Sequence, residues 1–410
     1  MLHFISVSFF VALSLSLLCC ARDPFPFSPS SPSLPISGKC FPSLFGFGDS
    51  KTDTGNRQAF FPFESRSEGP PYGRTFFGGP SDRFCNGRLV IDFQAQAYGL
   101  PLLSPYARGL GSDFRHGVNF AVSGSGCIPN VADSVFYLTR QLNQFKKLKA
   151  LYIDNYATDK SYLSPSEYIG GGLYVISTGE NDYRAGINSM GLSSEEVKEQ
   201  LVPKVVEITY STVKELYKEG ARKFQVVGIA ADGCISMMLT RVPHEEPKDL
   251  DALGCLTSVN DYVQYHNELL FAAVKSLRAE LPDAHVAYGD YFGSNVGILV
   301  NASNYGFEET RKACCGVGGN YNYNPVVQCG QTGEVEGNNV TAYSCEDPSK
   351  YINWDGIHLT EHFYELIALD FLHGRFVDQP SMLPSSCVLN FSSFNTYPKF
   401  GKSFPALKPF

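Results

Sequence analysis

The sequence predicts a three-layer α/β/α sandwich built on a parallel sheet. Three observations lead there. Short apolar runs alternate with longer segments of helical periodicity, the pattern of a sheet covered on both faces. The first three of these runs give way to turns rich in Gly, Ser, Asn or Asp, as strand ends do. No internal repeat divides the 410 residues, so one large domain is the simplest account of the folded part.

The chain opens on an apolar stretch from Phe4 to Leu18 that stops at Cys19, Cys20 and Ala21. It is shorter than the roughly 20 apolar residues of a membrane span and ends in small residues, so residues 1–21 are expected to be a cleaved secretory signal. Residues 22–39, rich in Pro and Ser, cannot build a core and are expected to form an arm. The domain is expected over 40–384. Its short apolar runs predict strands at Leu44–Phe47, Val118–Val122, Leu173–Ser177, Phe224–Ile229 and His285–Tyr288. The segments between them are too long for strands and carry helical periodicity: Leu89–Tyr98, Val135–Leu151, Ser194–Glu219 and Leu253–Leu281, with a last helix at Thr360–Leu372. Two stretches break the rhythm, Phe60–Arg83 and Asn301–Tyr351, and long loops in a compact domain are expected to be functional, disulfide-pinned or both. Residues 385–410 show no periodicity and are set apart as a C-terminal tail.

Composition narrows the function classes. Lys and Arg number 33 against 41 Asp and Glu, a formal charge of -8 with no basic block, which argues against a nucleic-acid partner. Beyond the signal stand ten cysteines, at 40, 85, 127, 234, 255, 314, 315, 329, 345 and 387. An even set in an oxidising compartment predicts disulfides. A zinc cluster of Cys314, Cys315, Cys329 and Cys345 is disfavoured, because adjacent cysteines make an awkward tetrahedral pair and no CxxC knuckle is present. Sequons at Asn301, Asn339 and Asn390 predict N-glycosylation and agree with passage through the secretory pathway. A secreted, extracellular or cell-wall monomer without stable membrane insertion is expected.

The strand ends carry the chemistry. After the first strand comes Phe47-Gly48-Asp49-Ser50, after the second Ser123-Gly124-Ser125-Gly126, after the third Gly179-Glu180-Asn181-Asp182, and before the last helix Asp355-Gly356-Ile357-His358. In a doubly wound sheet such loops build the site. A serine hydroxyl becomes a nucleophile when an imidazole takes its proton, and a carboxylate fixes the imidazole tautomer. Ser50, His358 and Asp355 fit those roles. An oxyanion would need preorganised donors, which the N–H groups of Ser50 and Gly124 and the amide of Asn181 could supply. Each has a bland alternative: Ser50 as the polar start of a turn, Asn181 as an Asx-turn, Asp355 and His358 as ordinary residues before a helix.

Other patterns point to no cofactor or metal. Asp49 and Asp53 lack a third ligand, His362 beyond His358 lacks the HExxH pattern, and Gly316, Gly318 and Gly319 follow no strand. There is no G-x-S-x-G elbow of the ordinary α/β-hydrolases.

The blocks FGDSKTDTGN, GVNFAVSGSG, GENDY and DGIHLT resemble, in order and spacing, the four signature blocks of the GDSL esterase/lipases of the SGNH hydrolase superfamily. PPYGRTFF, RFCNGRLVIDF, ACCGVGGNYN and QCG look like its plant secreted branch, and the resemblance runs from Cys40 to about Arg375. It implies a flavodoxin-like SGNH fold, Ser50 as nucleophile, Gly124 and Asn181 in the oxyanion hole, and the pair Asp355 and His358. One departure is Asp82, where that family commonly has glycine; another is Cys127 beyond the small residue that follows Gly124 by two. Cys85 and Cys127, near motifs that should converge, are expected to pair, as are Cys234 and Cys255 around a loop after the fourth strand.

The function expected is hydrolysis of short or medium acyl or acetyl esters, on small or glycan-linked substrates, through an acyl-serine intermediate. Two alternatives stay open: an acyltransferase using the same residues, and a non-catalytic glycan-binding or defence protein on the same scaffold.

Overall fold

The computed structural model describes residues 40–63, 65–155, 167–379 and 383–395. The expected signal and the Pro/Ser-rich arm lie outside them. Five parallel strands form the central sheet: β1 (Leu44–Gly48), β2 (Gly117–Asn119), β3 (Leu173–Ser177), β4 (Lys223–Val227) and β5 (His285–Gly289), in the order β2-β1-β3-β4-β5. This is the flavodoxin-like order, in which the chain reverses direction across the sheet between β1 and β3. Register runs from Leu44 opposite Gly117 and Leu173, through Leu173 opposite Lys223, to Lys223 opposite His285.

β1 shows why the layers form as they do. Its side chains alternate, Phe45 and Phe47 to one face, Gly46 and Gly48 to the other. On the aromatic face, Phe45 stacks on Tyr174 at 4.7 Å and Phe47 on Phe120 at 5.1 Å, and Phe145 of helix Leu138–Asn155 meets Phe45 edge-on at 5.7 Å. Helices Leu138–Asn155, Val202–Lys218 and Thr257–Glu280 pack in sequence over that face. On the glycine face, helix Val90–Ala97 approaches so closely that a Cβ on Gly46 would sit 2.8 Å from Ile91 Cδ1. That helix packs against Glu361–Leu372, which packs against Tyr291–Val300. The three-layer α/β/α architecture follows.

Differences from the sequence expectation have local causes. The helix expected over Ser194–Glu219 is two, Ser194–Gln200 and Val202–Lys218, because Pro203 has no N–H to continue the first. Glu180–Asn188 and Tyr291–Val300, not expected from periodicity, are helical. Within Asn301–Tyr351, short strands pair as hairpins and ladders, and Tyr351–Asn353 lies parallel to Glu309–Ala313. Residues 383–395 pack on the domain: Cys387 bonds Cys40, Asn390 N–H donates to Ala97 O at 2.9 Å, and Phe394 is buried against Phe93.

Among the described residues four disulfides join Cys40 to Cys387, Cys234 to Cys255, Cys314 to Cys345 and Cys315 to Cys329. The expected Cys234–Cys255 bridge is present; the expected Cys85–Cys127 bridge is not, and both are buried free thiols. Cys85 Sγ faces the Gly87 N–H and the Arg88 carbonyl, whereas Cys127 Sγ faces the hydroxyls of Thr178 and Thr209, so each thiol has its own polar surroundings. Among the described residues no helix is long and apolar enough to cross a membrane.

Candidate active site

Three strand ends and one pre-helical turn converge at the reversal between β1 and β3. Gly48 closes β1 at φ +141, and a Cβ there would lie 1.9 Å from Ser177 O, so glycine is required for β1 to approach β3. Gln141 satisfies both backbone groups of Gly48, accepting its N–H at 2.9 Å and donating to its carbonyl at 2.8 Å. The chain then turns through Ser50, with Asp49 O accepting the N–H groups of Thr52 and Asp53 at 3.0 and 2.9 Å.

Asp53 organises this turn. Its carboxylate accepts N–H groups from Gly55, Asn56, Arg57 and Ser123 at 2.8, 2.6, 3.0 and 2.8 Å. Burial pushes its pKa up to about 6 against the pull of these donors. The bond to Ser123 ties the Ser50 turn to the loop after β2, where Gly124 takes φ +78. Asp182 makes the matching tie, accepting the N–H groups of Cys127 and Ile128 at 2.7 and 2.9 Å, and burial raises it to about 6 as well. Its neighbour Asn181 donates one amide hydrogen to Ser125 O at 2.9 Å, which leaves the second for a ligand. Among the described residues, neither the Ser50 nor the Gly124 N–H donates to another protein atom.

Before helix Glu361–Leu372, Asp355 Oδ1 accepts the N–H groups of Ile357 and His358 at 3.0 and 2.8 Å. His358 Nδ1 lies 2.8 Å from Asp355 Oδ2 and 3.0 Å from Oδ1, and its Nε2 lies 2.8 Å from Ser50 Oγ. Burial opposes the Asp355 charge, but His358 and then Arg66 outweigh it and hold the carboxyl below its usual range. Burial pushes His358 below 6.5 despite the attraction of Asp355. An ionised carboxylate accepts only, so Nδ1 carries the proton and Nε2 offers its lone pair to the Ser50 hydroxyl. All three side chains are buried.

The structure therefore brings together all of the expected residues Ser50, Gly124, Asn181, Asp355 and His358 in this one arrangement. Asn339 and Asn390 are exposed; the Asn301 amide is engaged with Gly297 O at 2.9 Å. Asp82, in a position where glycine was expected, has φ +64, the left-handed region that Gly adopts freely and Asp tolerates.

Several contributing residues were not singled out from sequence. Lys51 and Glu180, the chain neighbours of Ser50 and Asn181, form a buried ion pair. Asp49, weighed from the sequence only as a metal ligand, lies in the same field, and burial, then Glu180, raises it to about 7. Tyr72 O–H donates to Asp355 Oδ2 at 2.8 Å, with Arg66 Nη1 3.4 Å from the phenol oxygen and 4.0 Å from Oδ2. The stretch Phe60–Arg83 was expected to be functional, disulfide-pinned or both, but an irregular loop has no period from which to read which side chain turns inward.

A flavodoxin-like sheet with a serine, an imidazole and a carboxylate in line at its reversal point, beside unclaimed amide donors, defines the SGNH class of hydrolases. The chain belongs to the GDSL-like lipase/acylhydrolase family, whose model matches residues 44–371. It is 39% identical over 360 residues to the GDSL esterase/lipase At4g01130 of Arabidopsis thaliana, covering 85% of this chain and 92% of that protein. An esterase of Hevea brasiliensis is 36% identical, covering 85% and 89%. A protein of Arabidopsis thaliana named alpha-L-fucosidase 3 is 35% identical, covering 82% and 91%. The protein is a hydrolase acting on ester bonds.

Proposed function

We propose that the protein is a secreted carboxylic ester hydrolase in which Ser50 attacks the ester carbonyl, His358 takes the serine proton, and Asp355 orients and stabilises the imidazolium. The observation that carries this reading is the 2.8 Å approach of His358 Nε2 to Ser50 Oγ while Nδ1 is held by Asp355. The oxyanion would be met by the N–H groups of Ser50 and Gly124 and the second amide hydrogen of Asn181. Collapse of that intermediate expels the alcohol, which takes the proton from His358. A water then gives its proton to Nε2 and attacks the acyl-Ser50 carbonyl, and the second intermediate collapses to the acid as Ser50 Oγ leaves and takes that proton back from Nε2.

Short or medium acyl groups suit the surroundings of Gly124. Ser134 N–H donates to Gly124 O at 3.0 Å, and two residues on, Phe136 stacks on Phe60 at 3.8 Å, an apolar pair in the same loop, while Arg57 Nη1 lies within 3.6 Å of where a Gly124 Cβ would stand. Four disulfides and the exposed sequons at Asn339 and Asn390 support an oxidising, secretory destination.

The test pairs labelling by a fluorophosphonate with rates on p-nitrophenyl esters of rising chain length. Ser50→Ala is expected to abolish labelling and lower kcat by about a thousandfold or more, and Asn181→Ala to lower it about a hundredfold. An unchanged Ser50→Ala rate would refute the mechanism. Release of p-nitrophenol from its fucoside, but not from its esters, would replace the ester reading with the chemistry named for the third relative. Acyl transfer to added alcohols faster than hydrolysis would make the protein an acyltransferase.

A further inference from the structure

The catalytic reading uses Asp355 without asking what fixes its second oxygen. Oδ1 is saturated by two backbone N–H groups and shares Nδ1, while Oδ2 receives Nδ1 at 2.8 Å and one further donor, Tyr72, at 2.8 Å. Asp355 is 1% exposed, so water cannot stand in for that donor. Tyr72 is itself fully buried, its ring edge-on to Trp354 at 5.8 Å and to Phe84 at 6.0 Å, and Phe84 lies 5.1 Å from the His358 ring. The direction of the bond is set by chemistry: Arg66 has donors only, so at 3.4 Å the phenol oxygen accepts from it and the O–H is left for the carboxylate.

Resting on the ester-hydrolase reading, we propose that Tyr72 is a positioning residue for Asp355, whose O–H locks the carboxylate in the plane of the imidazole and restrains the basicity of His358. A donor on Oδ2 draws charge from the oxygen that also stabilises the imidazolium. Without it the carboxylate binds the imidazolium more tightly, and it is also free to rotate away from Nδ1. The first effect moves the acid limb of the rate profile upward, and the second lowers kcat.

The other groups that face this pair do not change charge in the assay range. Arg66 and Arg184 remain cationic, and burial raises the Cys85 thiol and the Tyr323 and Tyr364 phenols. Asp49, raised to about 7, and Asp53 and Asp182, raised to about 6, do titrate in that range, but Asp49 faces Glu180 and Lys51, the other two face backbone N–H groups, and all three are common to every variant compared.

The experiment measures kcat and KM of the mature protein for p-nitrophenyl acetate from about pH 4.5 to about pH 8, a range that spans the histidine titration. Tyr72→Phe keeps the ring. Its acid limb is expected to rise by about 0.5 to 1 pH unit, with the plateau kcat down about 3- to 30-fold and KM within about twofold. Combined with Asp355→Asn, the two losses are expected not to multiply, because they act on one bond. Trp354→Phe, which loosens the packing of Tyr72 but keeps its O–H, is expected to leave the acid limb in place. The proposal is overturned by a wild-type limb in Tyr72→Phe, by losses that multiply, or by an equal shift in Trp354→Phe. Failure of wild-type Ser50 to take a fluorophosphonate would instead overturn the underlying mechanism, and the proposal with it.

Discussion

Replacing Lys51 by Met is expected to cost far more stability than replacing its partner Glu180 by Gln, and only above neutral pH. Asp49, Lys51 and Glu180 occupy one buried place beside the candidate nucleophile. One ammonium neutralises one carboxylate, and Asp49 keeps its proton to about 7, through burial first and the Glu180 charge second. Against its ordinary 3.8, this corresponds to about 4 kcal/mol disfavouring ionised Asp49. Glu180→Gln removes the repelling charge, so Asp49 ionises and becomes the ammonium's partner, at a net cost of about 1 kcal/mol. Lys51→Met leaves two buried carboxyl groups without their ammonium, with Arg184, already paired to Asp232, as the remaining cation in their field, and is expected to cost about 3–5 kcal/mol at about pH 8. A carboxyl whose folded pKa lies above its unfolded one stabilises the fold below the unfolded value and loses that contribution as pH rises through the folded value. Without the ammonium that loss deepens, so the cost of Lys51→Met is expected to shrink to about 1–2 kcal/mol at about pH 5, where Asp49 holds its proton. Urea unfolding of the three proteins at both pH values, at fixed ionic strength, reads the effect. Equal cost of Lys51→Met at both pH values, or a greater cost for Glu180→Gln, would refute the reasoning.

Further outcomes follow from single features. In the proposed mechanism His358 is a base only when neutral, and burial lowers its pKa, so the acid limb of wild-type kcat/KM is expected below 6.5, measured as a pH profile. Gly48→Ala puts a Cβ 1.9 Å from Ser177 O and is expected to abolish soluble folded protein, checked by circular dichroism. Cys387→Ser opens a loop spanning 347 residues of sequence and is expected to cost about 2–5 kcal/mol in urea unfolding, with kcat nearly unchanged. Native protein is expected to leave Cys85 and Cys127 unreacted with a thiol reagent and to expose two thiols on denaturation without reduction, counted by absorbance.

Much of this architecture was legible in the sequence because its physics is local. Leu173–Ser177 is a strand with the bounds its apolar run gives, since a central parallel strand is buried on both faces and needs no polar alternation. Helix Glu180–Asn188 was hidden because its polar residues carry the site: Glu180 and Asp182 are buried for their charges, which inverts the usual apolar stripe. Among the candidate site residues, those in short motifs at strand ends could be placed because each strand end has one place to go. Tyr72 could not, because its partner Asp355 is 283 residues away and the intervening loop path follows from packing on Trp354 and Phe84. The Cys85–Cys127 expectation failed for the same reason: convergence of two motifs fixes the backbone to within a loop's width, whereas a disulfide needs Cα atoms roughly 4.4–6.8 Å apart with Cβ vectors facing.

The way the donor loops are held bears on how the site can work. An oxyanion donor must be an N–H left unclaimed by its own protein, in a segment with little side chain to pack. Gly124 has none, and in the proposed mechanism Ser50 keeps its hydroxyl for His358. Apolar packing therefore cannot position these loops, and carboxylates do it instead by binding the amides on either side. Asp53 takes the N–H groups of Gly55, Asn56, Arg57 and Ser123, and Asp182 those of Cys127 and Ile128. The two ties end on either side of Gly124 and Ser125, fixing the short turn between them and leaving its amide directed by backbone geometry alone. That is preorganisation in a form that costs no side chain at the reacting centre. It also places burial-raised carboxyls beside the proposed donors, so that in the proposed mechanism the cost of assembling an oxyanion hole is carried by desolvated carboxyls rather than by the substrate.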